Sequence, residues 1–303
     1  MNTDMAAEAR AQPQPFSAVP PLRRLYWSVR RELWEYRSLY LAPLAVAALG
    51  LAGFAIHLVR LPEALRAAAA LDPMRRQAAL EQPYTFVALL LMLTTTVVGV
   101  FYCVEALHAE RRDRAILFWK SLPVSDATTV LAKAAVPLVI LPLLTFAVTF
   151  VTHAIMLSMA GVRLIGAGLG VWSQLGFGQM ELDLLSHLVL VHGLWYAPIW
   201  GWLLLASAWS RRVPLVWAAL PPLALSLVES IAFGTASFAA CLGRRLMGGP
   251  AGPASGDGPM TMASMTPGTP GQFLASPGFW LGLALTAAFL FAAVRLRRYH
   301  GPV

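Results

Sequence analysis

Residues 108–126 read HAERRDRAILFWKSLPVSD, and this charged stretch lies between two long apolar runs. Only 13% of the 303 residues are charged, yet the five residues of 110–114 are charged without interruption. A turn that merely joins two apolar helices needs no such cluster. The stretch therefore predicts an element with a task of its own at one end of a helical bundle.

The composition on either side of this stretch is that of a membrane protein. Hydrophobic residues make up 58% of the chain, against roughly 45–50% in a soluble domain. Several windows of about 20 residues are almost free of charge, which is the length that spans a hydrocarbon core of roughly 30 Å. Their apolar runs are continuous, whereas barrel strands alternate apolar and polar residues. We expect an all-α integral membrane protein.

The apolar runs predict six transmembrane helices. The expected spans are 40–59, 83–107, 134–159, 186–209, 213–240 and 277–294. A charged helix over 108–122 follows the second span, and Ser125 or Asp126 is expected to cap the next helix. The remaining segments are a disordered tail at 1–20, an outer segment rich in Gly, Pro and Ser at 243–277, and a basic tail at 295–303.

Residues 21–39 predict an amphipathic helix that lies in the membrane interface before the first span. Its apolar residues recur at helical spacing, namely Leu22, Leu25, Tyr26, Val29, Leu33 and Tyr36. Arginines fill most other positions, so we expect the apolar face in the acyl boundary of the lipid bilayer and the arginines at phosphate level. The alternative is a solvated helix without a membrane role.

The basic residues predict which side each loop faces. The net charge of +8 is typical of nucleic-acid binding or of membrane proteins with basic cytoplasmic loops, and the apolar spans favour the second explanation and no nucleic acid. With both termini cytoplasmic, only seven of the 23 basic residues fall outside, namely Arg60, Arg66, Arg75, Arg76, Arg163, Arg244 and Arg245. That asymmetry places the charged stretch in the cytoplasm.

No pattern in the sequence predicts catalysis, a metal or a bound cofactor. The only lysines are Lys120 and Lys133, so no phosphate-binding loop of the Gly-x-x-x-x-Gly-Lys type exists. Neither a His-Glu-x-x-His nor a Gly-x-Ser-x-Gly motif occurs. His187 and His192 are five residues apart, a spacing that does not bring two ligands to one face of an α-helix.

Glu229 is the ionisable residue that stands out inside a predicted span. It lies about 24 Å along the fifth span, at a rise of 1.5 Å per residue, and a carboxylate there must find a polar partner. Two roles stay open for it: contact with a transported substrate, or a hydrogen bond to the outer loop.

The charged stretch itself predicts docking of a soluble partner. Ile116 to Trp119 are four consecutive large apolar residues, which surround a helix on all sides and cannot all face one membrane surface. Aromatic residues ringed by polar ones are typical of interface cores. The expected docking residues are Glu110, Arg111, Arg114, Phe118 and Trp119. The alternative is a membrane-surface helix anchored by Trp119.

The order of elements resembles the membrane subunit of type-two ATP-binding-cassette exporters over about residues 21–298. Glu110-Arg111-Arg112, then Leu122-Pro123-Val124-Ser125, then Lys133 look like the Glu-Arg, Leu-Pro-Val-Ser and Lys pattern of that family. Asp113-Arg114 departs from it, because many members have Gly-Thr there.

The resemblance implies a function shared with a partner chain. The helix at 108–122 would be the coupling helix, seated in a separate ATPase subunit that binds ATP and Mg²⁺. A second permease copy would complete a pathway lined by spans two and five, in a bacterial inner membrane. The resemblance leaves the transported substrate open, and it leaves open import or a maturation role in place of export. The runner-up is a membrane anchor or assembly scaffold without a transport path. An ion-coupled carrier would call for ionisable groups near the midplane and internal repeats.

Overall fold

The computed structural model describes residues 20–113, 125–165, 175–247, 261 and 270–299, and every regular element there is a helix. Up to residue 113 these are α1 (Pro21–Glu35), α2 (Ser38–His57), α3 (Leu61–Ala69), α4 (Pro73–Ala106) and α5 (His108–Arg112). After it come α6 (Asp126–Ala135), the π-helix π1 (Val136–Ile140), α7 (Leu141–Ile165), α8 (Phe177–His187), the π-helix π2 (Leu188–Trp195), α9 (Ala197–Trp209), α10 (Pro214–Phe233), α11 (Ser237–Leu246), α12 (Pro270–Ala275) and α13 (Pro277–Tyr299).

Five helical stretches among the described residues are long and apolar enough to cross a membrane. They are Ser38–His57, Pro73–Arg112, Asp126–Leu164, Pro214–Phe233 and Pro277–Tyr299. A sixth qualifies only as a pair, because Phe177–Trp195 and Ala197–Trp209 are bent by 44° at their junction. The prediction of an all-helical chain with several membrane-length helices is confirmed for this part of the chain, and five or six of them meet the requirement of length and composition.

Several helix ends differ from the predicted boundaries for local reasons. The expected helix over 21–39 is divided, since Tyr36 leaves the helical region (φ −104°, ψ 72°) and α2 starts at Ser38. The helix at the predicted fifth span ends at Phe233 rather than at residue 240, because Gly234 adopts the left-handed conformation that terminates helices (φ 64°). The second begins at Pro73, ten residues early, since Asp72 accepts a hydrogen bond from the Arg75 amide and caps it.

The helix that follows the charged stretch begins at a predicted cap and continues into a π-helix. The Ser125 side chain accepts a hydrogen bond from the Thr128 amide and so begins α6. Pro137 lies in π1, where the hydrogen-bond pattern is wider than in an α-helix and the backbone donor that a proline lacks is accommodated. The second π-helix lies directly against it: a Cβ added to Gly193 in π2 would lie 2.9 Å from the Leu138 carbonyl oxygen in π1.

Two apolar clusters occupy opposite ends of the bundle. One joins the end of α2, the start of α4, the end of α7 and α8, with Phe54, Tyr84 and Met156 at its centre. The other joins α4, α6, π1 and α9, with Tyr102 and Trp200 at its centre. The charged groups described below lie beside this second cluster. At the same end α1, α5, α6 and the end of α13 meet.

Candidate functional site

Charged side chains from four helices form one buried cluster, which we call the charge network. Its members are Arg31 and Glu32 of α1, Glu110 of α5, Asp126 and Lys133 of α6, and Arg297 of α13. Four of these side chains are at most 4% exposed, and Arg31 and Asp126 are each 26% exposed. Three carboxylates thus face three cations, and the network as a whole is neutral.

Lys133 is the centre of the network and is fully buried. Its ammonium donates to both carboxylate oxygens of Glu32, at 2.9 and 3.0 Å, and lies 3.1 Å from Oε1 of Glu110. The Tyr102 hydroxyl donates to Oε2 of Glu32 at 3.0 Å. Because an ammonium has three N–H donors and no acceptor, these contacts use its full capacity.

Glu110 is held by cations from three helices. Besides Lys133, Nη2 of Arg31 lies 3.1 Å from its Oε1, and Nη1 of Arg297 donates to its Oε2. The same Arg297 guanidinium donates through Nε to Asp126 at 3.0 Å. Arg297 on the last helix therefore joins Glu110, just before residues 114–124, to Asp126, just after them.

The pKa shifts at the rim follow from burial beside the carboxylates. Burial alone would lower the pKa of Arg31, but the charges of Glu32 and Glu110 and the hydrogen bond to Glu32 raise it instead. Burial first, and then the negative charge of Glu32, raise the pKa of Glu35 and of Tyr36. Arg31 therefore stays charged at any physiological pH, whereas Glu35 retains its proton to a higher pH than a free carboxyl group.

The network specifies an arrangement more than it adds stability. Replacing a whole buried ion pair by apolar residues is often neutral, whereas removing one partner costs about 3–5 kcal/mol because the other charge stays buried. Each member here is thus required by the others. What they fix is the position of α5 and α6 relative to α1 and α13.

Arg111 has a separate task at the end of α9. Its Nη2 group donates to the carbonyl oxygens of Ser207, at 3.2 Å, and Ser210. The amides of Leu107 and His108 both donate to Oγ of Ser207 at 3.0 Å. A cation on the last carbonyls of a helix also faces the negative end of its dipole. The start of the charged stretch is thereby fixed to α9.

The predicted docking residues divide into two groups. Glu110 and Arg111, expected on a partner-facing surface, are 4% and 5% exposed and are occupied by contacts within the chain. Arg114, Phe118 and Trp119 lie outside the described residues, so their docking role stays a prediction. Sequence reasoning missed these contacts of Glu110 because its partners Arg31, Lys133 and Arg297 are distant in the chain.

Glu229 forms hydrogen bonds within the chain, which was the alternative to contact with a transported substrate. Its carboxylate accepts hydrogen bonds of 2.8 Å from the Thr235 hydroxyl and from the amides of Ser237 and Phe238. It therefore caps the first turn of α11 across the Gly234 bend. Its suggested contact with a substrate stays a prediction.

The expectation that His187 and His192 lie on different faces is wrong. They belong to the junction of α8 and π2, and their ring centroids are 5.3 Å apart. A π-helix has more residues per turn than an α-helix, so positions five apart come together. The planes of the two rings are tilted by 55°, and the described residues contain no group of three metal-ligand side chains.

A second buried polar contact joins three helices at the other end of the bundle. His153 on α7 donates through Nε2 to the Tyr84 carbonyl at 3.0 Å, and its Nδ1 lies 2.6 Å from Oε1 of Glu181 on α8. The imidazole ring therefore makes one hydrogen bond with each of its two nitrogens, to α4 and to α8. No spacing between these residues along the chain predicts that they meet.

Comparisons with known proteins leave this arrangement without a named relative: no family model, no curated protein and no solved structure matches the chain.

Proposed function

We propose that the chain is the membrane subunit of a type-two ATP-binding-cassette exporter in a bacterial inner membrane. A separate ATPase subunit docks on the helix at 108–122 and hydrolyses ATP, while this chain provides the transmembrane path. The proposal rests on the pattern of residues in and around the charged stretch and on the membrane-length helices.

The observation that carries the proposal is the attachment of the charged stretch at both of its ends. Glu110 and Asp126 are bound by the same Arg297, and Lys133 connects Glu110 to Glu32 on α1. A loop that only joins two helices needs no link to the first and last helices of the bundle. A loop that receives force from an ATPase needs such a link, because its movement must reach other helices.

In this proposal ATP binding closes two ATPase subunits and brings the docked helices together. The charge network makes α5 and α6 move with α1 and α13 as one body, which favours one of two packings of the membrane helices. A second copy of the chain would complete the pathway. In α10 only Ala218 is buried, so most of this helix is open to lipid or to another copy.

The experiment is purification of the tagged full-length chain from its native membranes, with mass spectrometry and an assay of ATP hydrolysis. Wild-type chain is expected to retain a Walker-motif ATPase in a complex with two copies of each subunit. Phe118→Ala with Trp119→Ala is expected to lose most of it. Trp280→Ala is the matched control, because Trp280 is 57% exposed near the opposite end of α13 from Arg297.

Two outcomes would contradict the proposal. Full retention of the ATPase by the Phe118 and Trp119 double variant would show that docking on 108–122 is wrong. A chain that purifies as a monomer without any ATPase would contradict the transporter function and agree with the anchor or scaffold alternative.

A further inference from the structure

One side of α1 is turned away from the bundle and carries aromatic and basic residues. We call it the outward face of α1, and it consists of Leu22, Arg23, Tyr26, Trp27, Arg30 and Trp34. Their spacing of three and four residues places them on one side of the helix. Leu22, Tyr26, Trp27 and Trp34 are 79%, 59%, 49% and 68% exposed.

This division differs from the amphipathic pattern expected from the sequence. Leu33 and Tyr36, expected in the acyl boundary, pack on the apolar cluster around Tyr102. Glu32 points into the charge network. The residues of α1 that face away from the protein are therefore mainly Trp27, Trp34, Tyr26 and the arginines, and not a stripe of aliphatic residues.

Arg30 is positioned by the two tryptophans on either side of it along the helix. The centre of its guanidinium lies 5.0 Å from the Trp27 ring and 4.8 Å from the Trp34 ring. Among the described residues no carboxylate forms an ion pair with this guanidinium, because the nearby Glu32 and Glu35 both pair with Arg31. A guanidinium held by aromatic rings keeps its planar array of N–H donors for an anion, and phosphate fits that array well.

The position of α1 indicates where the anion comes from. Only Tyr36 and Arg37 separate the end of α1 from α2, an apolar helix of membrane length, so α1 ends at the membrane surface. Tryptophan and tyrosine are enriched at the level of lipid headgroups. Basic residues at that level attract anionic lipids.

We propose that the outward face of α1 binds the headgroup of an anionic phospholipid, with Arg30 on the phosphate and Trp27 and Trp34 beside it. Arg31 and Glu32, the next residues of the same helix, belong to the charge network. A headgroup that fixes α1 therefore also stabilises the attachment of α5, α6 and α13. This inference does not depend on the identity of the ATPase or the cargo.

The test uses the full-length chain in nanodiscs of phosphatidylcholine alone or mixed with phosphatidylglycerol. Native mass spectrometry measures how much phosphatidylglycerol stays bound after release from the disc, and thermal unfolding measures stabilisation. Wild-type chain is expected to retain phosphatidylglycerol selectively and to unfold at a higher temperature in its presence. Arg30→Gln is expected to reduce that retention about fivefold, which is the effect of one basic residue at a membrane surface, and to abolish the stabilisation.

Arg212→Gln is the matched control, because Arg212 is an exposed arginine near the Ser210 carbonyl that Arg111 binds at the same end of the bundle. Equal losses in Arg30→Gln and Arg212→Gln would mean general attraction by positive charge and would overturn the proposal. Trp27→Ala with Trp34→Ala should also lower lipid retention. If that pair instead removes a protein partner and leaves lipid retention intact, the face docks protein and the proposal is wrong. Arg30→Gln decides the matter alone if the double variant does not fold.

Discussion

Replacement of Lys133 by methionine tests the charge network at its centre. The substitution keeps an unbranched side chain of similar length but removes the ammonium that contacts Glu32 and Glu110 at 2.9 to 3.1 Å. The network then holds three carboxylates against two cations, and none of the lost contacts can be replaced by water at a fully buried position. Removing one partner of a buried ion pair costs about 3–5 kcal/mol, so Lys133→Met should lower the free energy of unfolding by that amount.

A second substitution that restores the charge balance of the network tests whether the loss of stability comes from an unpaired carboxylate. Lys133→Met combined with Glu32→Gln leaves two carboxylates and two cations, so the double variant is expected to be more stable than Lys133→Met alone. The free energy is measured by equilibrium unfolding of the purified chain in mixed detergent micelles, followed by circular dichroism. Arg112→Met serves as the control, because Arg112 is 59% exposed and its ion-pair partner in the described part of the chain is the exposed Asp113.

The reasoning is refuted if Lys133→Met unfolds at the same free energy as Arg112→Met. It is also refuted if Glu32→Gln adds to the loss, because the two changes would then act independently.

Three further predictions concern the rest of the bundle. Gly193→Ala should destabilise the chain by about 1–3 kcal/mol, because its Cβ would lie 2.9 Å from the backbone oxygen of Leu138. The control is Gly53→Ala, which should not destabilise the chain because its Cβ would meet nothing within 4 Å. Equal effects of the two substitutions in the same unfolding assay would contradict the contact. Glu181→Ala should cost about 1–3 kcal/mol by leaving Nδ1 of His153 without its partner, and Glu181→Gln, whose amide can still form a hydrogen bond, should cost less. Equal losses in the two variants would show that this hydrogen bond does not stabilise the chain. Glu229→Ala should speed hydrogen exchange at the amides of Ser237 and Phe238, because both donate to that carboxylate; unchanged exchange together with impaired transport would favour the substrate role instead.

The features that could be predicted from sequence are those that a short window contains. Membrane-length helices follow from runs of about 20 apolar residues, and Ser125 caps α6 as its side chain and position indicated. The end of α10 was misplaced by seven residues, because the apolar run continues past Gly234 and only the backbone conformation ends the helix there.

The charge network could not be read from the charged stretch alone. Glu110 was predicted to dock a partner protein because it lies in the charged stretch, but its contacts within the chain come from α1, α6 and α13. One signal could have found it: Glu32 follows Leu25 and Val29 at helical spacing and precedes Tyr36 by four residues, so a carboxylate interrupts an apolar stripe. Lys133, in an otherwise apolar run, is its natural partner.

The two histidines show a different kind of error. Residues five apart were placed on different faces because an α-helix was assumed, and π2 changes the number of residues per turn. No local sequence rule predicts where a π-helix forms. Contact between π1 and π2 depends on packing between distant segments.

The central claim is that the segment 108–126 receives an ATPase and that the charge network passes its movement to α1 and α13. The most direct measurement is hydrogen exchange of the purified complex with and without a non-hydrolysed ATP analogue, in wild type, Arg297→Met and Arg298→Met. Arg298 is the neighbouring exposed arginine on the same helix. We predict that ATP changes exchange in 108–126, α1 and the end of α13 in wild type and Arg298→Met, but only in 108–126 in Arg297→Met. The same change in all three proteins, or none in α1 and α13 of the wild type, would contradict the account.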